Sequence, residues 1–182
     1  MFKKLFLGGV LFFMVGCASL PETLKTQTED PIMDLVSIID DPEGAQGQEV
    51  RLGGIIASIT NEKERTRLEI ASLPLTSDGR PRIDSKPVGR FVAYVPGFLE
   101  PLEYAPDRLV TVVGRLTGKE EGKVGEHEYV FPVVDATGNQ IWRVKQEIRM
   151  DDFDSYHSCF GSRCSYFGFG TTRGEVYHRV TK

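Results

Sequence analysis

From Val50 onward, apolar and polar residues alternate in short stretches separated by turn-forming residues. Such alternation is typical of β-strands that bury one face. Strands separated by regular turn signals indicate an all-β sandwich or barrel. The predicted strands are Val50–Ile59, Arg65–Leu73, Arg90–Val95, Arg108–Thr117, His127–Val134 and Gln140–Lys145.

Two glycine-containing stretches set the predicted shape of these strands. The pair Gly53-Gly54 interrupts the first strand and shifts the phase of its alternation, which predicts a β-bulge or a sharp bend there. The stretch from Gly118 to Gly125 predicts a turn between the fourth and fifth strands. An initial hairpin, a third strand, an irregular connection and a final strand pair match the Greek-key barrel of the OB-fold.

The fold class predicted is therefore all-β: a small five- to six-stranded OB-like Greek-key barrel with a short N-terminal helix and an irregular C-terminal extension. The helix is predicted from Asp30 as N-cap and Pro31 at the first helical position. Its apolar residues fall at helical spacing. They are Ile32, Leu35, Val36 and Ile39.

The first 17 residues have the layout of a secretory signal peptide. Lys3 and Lys4 form a positive start, an apolar run extends from Leu5 to Val15, and the small residue Gly16 precedes Cys17. The run Met14-Val15-Gly16-Cys17 also resembles the lipobox of bacterial lipoproteins, in which the cysteine is lipidated and becomes the mature N-terminus. A transmembrane anchor is disfavoured, because an 11-residue helix spans only about 16 Å of a hydrocarbon core of about 30 Å.

These patterns divide the chain into four parts. Residues 1–16 are the expected lipoprotein signal peptide and 17–30 a flexible polar tether. Residues 31–145 form the OB-like β-barrel domain. Residues 146–182 form an aromatic and Gly-rich C-terminal extension, either laid over the barrel or loosely ordered.

The charge of the chain bears on its partners. The whole chain carries 22 basic and 26 acidic residues, and loss of Lys3 and Lys4 would leave a mature net charge of about −6. Nucleic acid is therefore an unfavourable partner, because phosphate binding depends on clustered Lys and Arg. The expected membrane attachment rests on the N-terminal lipid, and a protein or polysaccharide partner stays unknown.

Three cysteines are present. Lipid accounts for Cys17, which leaves Cys159 and Cys164 as an even pair in an exported chain. A local disulfide, free thiols, or a metal site that recruits His157 and His178 are all compatible with their spacing. The oxidising compartment favours the disulfide.

No other constellation indicates catalysis or a cofactor. His127 lies between Glu126 and Glu128, but alternation on a strand places the two glutamates on one face and the histidine on the other. The sequence lacks a nucleophile elbow and a phosphate loop. Aromatic residues of the C-terminal extension could form a sticky partner surface or cover an open end of the barrel. They are Tyr156, Phe160, Tyr166, Phe167, Phe169 and Tyr177.

A set of short motifs between residues 53 and 142 resembles the Slp family of starvation-inducible outer-membrane lipoproteins. The motifs are Gly53-Gly54-Ile55, Leu68-Glu69-Ile70, Leu73-Pro74-Leu75, Gly89-Arg90-Phe91, Gly97-Phe98-Leu99-Glu100-Pro101, Tyr104, Val110-Thr111-Val112-Val113-Gly114, Gly118, Tyr129 and Trp142. The resemblance implies a lipidated Cys17 and an outer-membrane location. It carries no catalytic or ligand-binding residues.

The residue after Cys17 is Ala18. In bacterial lipoproteins an aspartate at this position commonly signals retention in the inner membrane, so alanine fits an outer-membrane location. We therefore expect a non-enzymatic lipoprotein, lipid-anchored on the periplasmic face of the outer membrane, with a structural or envelope stress-related role. The alternative is an OB-like module that binds an oligosaccharide or peptide of the cell envelope.

Overall fold

Six β-strands make up most of the structure, a computed structural model that describes residues 20–150 and 174–182. The strands are β1 (Glu49–Asn61), β2 (Arg65–Leu73), β3 (Arg90–Pro96), β4 (Leu109–Val124), β5 (His127–Met150) and β6 (Gly174–Thr181). Two short helices, α1 (Leu35–Asp40) and α2 (Pro42–Ala45), and a 3₁₀ turn (Glu22–Leu24) precede them.

The first five strands close into a barrel. The sheet runs in the order β3-β2-β1-β4-β5-β6, and β3 also pairs with β5, in parallel, between Val92–Tyr94 and Val133–Asp135. All other strand pairs are antiparallel. This connectivity is that of the Greek-key OB barrel and confirms the predicted all-β fold.

The barrel core is built from alternate residues of each strand, as the hydrophobic pattern predicts. The fully buried members include Val50, Leu52, Ile56, Leu68, Ile70, Phe91, Val110, Val112 and Val134. The register of β1 on β2 is regular through Gly53 and Gly54 and shifts only between Ile56 and Ser58. The predicted bulge therefore lies at Ala57, not at the glycine pair.

The fourth strand is longer than predicted, and the predicted strands His127–Val134 and Gln140–Lys145 are parts of one continuous strand, β5. The stretch from Gly118 to Val124 is not a turn but the second half of β4, and it pairs with β5 from His127 to Val133. Burial does alternate in this stretch: Lys119, Glu121 and Lys123 are exposed, and the residues between them are half-buried. The sequence does not show this alternation, because most residues on both faces are polar or glycine.

The two short helices lie at the end of the barrel where β1 begins. Leu35, Ile38 and Ala45 belong to the barrel core cluster. The predicted cap was wrong: Asp34, not Asp30, is the N-cap of α1, and its carboxylate accepts hydrogen bonds from the backbone N–H groups of Val36 and Ser37. Ile32 is not helical, because it forms a parallel β-bridge with Val50 instead.

Residues 97–108, which we call the end loop, lie at the opposite end, between β3 and β4. Tyr104 of this loop is buried in the barrel core cluster, and its hydroxyl donates to the side-chain oxygen of Asn139 at 2.6 Å. Burial raises the pKa of Tyr104. The hydroxyl therefore stays protonated and able to donate throughout the physiological pH range.

Residues 20–30, which we call the N-terminal segment, pack on the outer surface of β1, β4 and β5. Leu24 is fully buried in a second apolar cluster with Leu73, Leu109, Val113 and Trp142. The prediction of a flexible tether as far as residue 30 is therefore wrong for residues 20–30. The sequence hid this docking, because the two leucines of this polar stretch, Leu20 and Leu24, are too few to establish a periodicity.

Hydrogen bonds from β1 hold the N-terminal segment in place. The buried guanidinium of Arg51 donates from Nε to the carbonyl of Leu24 at 3.0 Å and from Nη2 to Oγ1 of Thr26 at 3.1 Å. The carboxylate of Glu49 accepts from the hydroxyl and the N–H of Thr28 and from the N–H of Gln27. These hydrogen bonds, led by that of the Thr28 hydroxyl, lower the pKa of Glu49.

The C-terminal extension is more regular than predicted where the structure describes it. β6 pairs antiparallel with β5 from Arg143 to Met150, which makes a two-stranded ribbon beside the barrel. Val180 of β6 packs against the second apolar cluster. Residues 151–173 lie outside the described residues.

A first prediction separates a docked N-terminal segment from a tether. Leu24→Ala should lower the free energy of unfolding by about 2–5 kcal/mol, because it removes a fully buried leucine from a packed cluster. Urea unfolding of the mature chain measures this. Gln27→Ala, at an exposed side chain of the same segment, is the control and should change the value by no more than about 0.5 kcal/mol. Equal, small effects of both substitutions would contradict the docking.

Candidate functional site

The outward face of β2 and β3 is the surface on which OB-type barrels bind ligands. We call it the β2–β3 face. Alternation directs Arg67 and Glu69 of β2 and Arg90 and Tyr94 of β3 to this face, while their neighbours enter the core. Arg67 pairs directly with Tyr94 across the two strands. The face therefore carries two cations, one carboxylate and one phenol.

A hairpin of the same chain covers this face. Residues 118–132, which we call the arm, comprise the distal parts of β4 and β5. Phe131 of the arm is 1% exposed, and its ring lies 4.7 Å from that of Tyr129 between centroids. The Tyr129 hydroxyl accepts a 2.9 Å hydrogen bond from the backbone N–H of Arg90. An apolar side chain this deeply buried shows that the arm packs on the barrel and does not project into solvent.

The carboxylate of Glu120 joins the arm to the β2–β3 face. It accepts hydrogen bonds from Arg67, at 2.9 Å from Nε and 2.6 Å from Nη2, and one from the Tyr94 hydroxyl at 2.8 Å. The Arg67 and Glu120 side chains are only 21% and 26% exposed. Solvent screening is consequently weaker than for a surface pair.

The pKa shifts at this contact follow from its geometry. Burial acts to lower the pKa of Arg67, but the hydrogen bond and the charge of Glu120 outweigh it and raise that pKa. Burial, and then the hydrogen bond and the charge of Glu120, raise the pKa of Tyr94. Arg67 and Tyr94 are therefore fixed in their donor states at physiological pH.

The remaining charges of the β2–β3 face are also paired. Arg90 Nη1 lies 2.5 Å from Glu69 Oε1, and the Ser58 hydroxyl is 3.4 Å from the other oxygen of Glu69. The arm and its ion pairs thus occupy the positions that a polar ligand would use. With its acids and bases paired in this way, the arrangement stabilises the arm and leaves no side chain of the set poised for proton transfer.

A groove of about 470 Å³ is present near the helical end of the barrel. Apolar side chains of residues 31–35 and of the end of β2 form most of its wall, and two aspartates also line it, of which Asp34 caps α1. Its lining residues are Asp30, Pro31, Met33, Asp34, Leu35, Ser72, Leu73, Pro74, Leu75 and Val88. Such a mostly apolar concavity suits a small ligand or an extended peptide.

Most residues singled out in the sequence are not brought together here. Cys17, Cys159 and Cys164 lie outside the described residues, so the lipid attachment and the disulfide stay predictions. The same holds for His157 and for every C-terminal aromatic except Tyr177, which is partly exposed on β6. His127 is exposed near the tip of the arm, and Glu126 and Glu128 are exposed beside it. It is therefore a solvated histidine.

Residues 20–150 and 174–182 contain neither a candidate metal cluster nor a candidate membrane-spanning helix. Within these ranges no cluster of three or more His, Cys, Asp or Glu side chains could bind a metal ion. No helix of the described residues has the length and apolar character needed to cross a membrane.

Sequence reasoning missed Glu120 and Arg67, the pair that fixes the arm. Arg67 lies on a correctly predicted strand, but Glu120 lies in the stretch read as a turn. The signal that could have revealed it is the two-residue alternation from Gly118 to Val124. That alternation is weak because three of its four half-buried positions are glycine or glutamate and only Val124 is apolar.

A second prediction tests whether the arm is fixed. In a double-mutant cycle, Arg67→Gln and Glu120→Gln should each destabilise the fold, and together they should cost less than the sum. Their coupling should be about 1–3 kcal/mol in urea unfolding, because the pair is partly buried and charge-assisted.

The matched control is the exposed pair Glu22 and Lys25 of the N-terminal segment, whose side chains are 83% and 60% exposed. The coupling in that cycle should fall below about 1 kcal/mol. A coupling of Arg67 to Glu120 no larger than that of the control would mean that the arm rests on the barrel without being fixed to it.

Comparison with known proteins gives consistent results. The profile of the outer membrane lipoprotein Slp family matches residues 14–170. The uncharacterized lipoprotein YeaY of Escherichia coli K12 is 38% identical over 148 residues, which cover 81% of this chain and 76% of that protein. The outer membrane protein Slp of the same strain is 32% identical over 138 residues, or 75% of this chain and 73% of that protein.

An uncharacterized protein of Haemophilus influenzae is 33% identical over 153 residues, which cover 82% of both chains. No solved structure matches this chain. The family profile spans most of the chain, and the relatives that it resembles exceed 30% identity over most of their own lengths. The chain therefore belongs to the outer membrane lipoprotein Slp family.

Proposed function

We propose that this protein is a non-enzymatic lipoprotein, anchored through lipid on Cys17 to the periplasmic face of the outer membrane, with a structural or envelope stress-related role. The observation that carries the proposal is the family match, which begins at residue 14 and so includes Met14-Val15-Gly16-Cys17. The positive start at Lys3 and Lys4 and the apolar run from Leu5 to Val15 support export.

The surface of the barrel supports a role without catalysis. The β2–β3 face is covered by the arm, and its charged groups are paired with each other or with Glu120. An enzyme would require a cleft in which a nucleophile or a pair of carboxylates has a base within reach. The groove near the helices combines two carboxylates with apolar walls and has no histidine, cysteine or lysine in its lining.

A third prediction tests the anchor. In cells fed labelled palmitate, the wild-type chain should incorporate label and float with outer-membrane fractions, because acylated Cys17 inserts into the bilayer. Cys17→Ser should lose both properties. Cys159→Ser is the matched control and should be labelled like the wild type. Equal labelling of the wild type and Cys17→Ser would refute the proposal.

The groove favours a second candidate function, the binding of an envelope oligosaccharide or peptide. The β2–β3 face could serve only if the arm moved, whereas the groove is open, and apolar side chains and two aspartates line it. These features favour a peptide with apolar and basic side chains over a polyanion.

A fourth prediction tests this second candidate. A short peptide that alternates leucine and lysine should bind the wild type and lose at least about tenfold in affinity to Val88→Asp, because a charge would then lie in the apolar wall. Val88 is 43% exposed, so the variant should keep its fold. Val130→Asp, on the outer side of the arm, is the control in the same fluorescence titration. Equal affinity for both variants, or no binding by the wild type, would exclude the groove as a site for this class of peptide.

A further inference from the structure

The end loop presents the two most exposed large apolar side chains of the described residues. Phe98 is 68% exposed and Leu102 is 82% exposed. Their neighbours Leu99 and Tyr104 pack against the barrel core instead. The loop therefore buries two of its apolar residues in the core and exposes two others to solvent. Exposed apolar side chains that lie close together are typical of a surface that contacts a partner or a membrane.

Hydrogen bonds fix the backbone of the end loop beside the turn between β1 and β2. The Gly97 N–H donates to the carbonyl of Glu64 at 2.8 Å, and the Gly97 carbonyl accepts from the Thr66 hydroxyl at 2.8 Å. The side-chain amide of Asn61 donates to the carbonyl of Leu99 at 3.0 Å. Phe98 and Leu102 are thus displayed on an ordered backbone, and a partner that binds them need not order the loop first.

The N-terminal segment leads toward this end of the barrel as it is followed back to residue 20. Thr28 is bound to Glu49 and Leu24 to Arg51, which lie at the start of β1. Leu20 lies beside Gly79, whose carbonyl accepts a hydrogen bond from Thr111. Thr111 is the direct partner of Gly53, so the segment moves along β1 away from the helices and toward the end loop.

The remaining distance to the lipid attachment residue is short. Cys17 is three residues before Leu20, and a fully extended chain of three residues spans at most about 10 Å. Leu20 packs against the second apolar cluster. A lipid on Cys17 would therefore be attached within about 10 Å of the point where the docked segment begins.

We propose that the barrel stands on the bilayer with its end loop downward, and that Phe98 and Leu102 insert into the interfacial region of a zwitterionic phospholipid membrane. This proposal rests on the lipidation of Cys17. The surroundings of the loop argue against electrostatic attraction to anionic lipid, because the exposed residues Glu62, Glu64, Glu100 and Glu103 outnumber the nearby cations. The contact is hydrophobic, and it should be insensitive to salt.

The test is fluorescence quenching in vesicles of phosphatidylethanolamine and brominated phosphatidylcholine that contain the lipidated full chain. Phe98→Trp places a reporter on the end loop, and Val88→Trp places a matched reporter at the opposite end, where Val88 is 43% exposed. Trp142, the one natural tryptophan, is 1% exposed and gives a common background. We expect the added tryptophan at position 98 to be quenched at least about threefold more strongly than the one at 88.

Equal quenching at both positions, or stronger quenching at 88, would overturn the proposed orientation. Flotation of the same vesicles measures whether the chain is anchored at all, and so distinguishes a wrong orientation from a failure of the proposed lipid anchor. A chain that floats but shows no difference in quenching is anchored in another orientation. A parent chain that does not float, or that floats equally with Cys17→Ser, refutes the lipid anchor itself.

Discussion

The parallel pairing of β3 with β5 is the constraint on which the rest of the structure depends, because it converts an open sheet into a closed barrel. Closure forces neighbouring strands to coil tightly around one core. A Cβ atom at Gly54 would lie 1.9 Å from the carbonyl oxygen of Ala71, and one at Gly114 would lie 2.1 Å from that of Asp135. Glycine is required at both positions because the backbones approach so closely, and not because of an unusual turn.

Two parts of the chain, the arm and the N-terminal segment, pack on the outer surface of the closed barrel. β4 and β5 are longer than a small barrel needs, so their distal parts leave the barrel wall beyond the register shift between Leu116 and Gly118 and pack on the β2–β3 face. The N-terminal segment covers the outer side of β1, β4 and β5 in the same way. The β2–β3 face, which an open OB-type barrel would offer to a partner, is thus covered by the chain itself, and the groove is left open.

The sequence predicted the barrel well and its outer coverings poorly, for a physical reason. Core strands carry apolar alternation, and β2, from Arg65 to Leu73, was predicted correctly from it. The coverings depend on single residues in polar surroundings. Leu24 is one buried leucine in a polar segment, and Glu120 is a charge whose partner Arg67 is distant in sequence. No local pattern encodes a contact of that kind, so the tether and the turn were predicted where docked elements exist.

The docked N-terminal segment also determines how much a lipid anchor on Cys17 would restrict the orientation of the barrel. A long flexible tether would let the barrel tumble above the membrane and present every face equally. A segment fixed from Leu20 by the burial of Leu24 and by the hydrogen bonds of Arg51 leaves no such freedom. If lipid is attached at Cys17 and the end loop lies on the bilayer, the docked segment holds the barrel in one orientation. The groove beside α1, at the far end from the end loop, would then face away from the bilayer and be accessible from the periplasm.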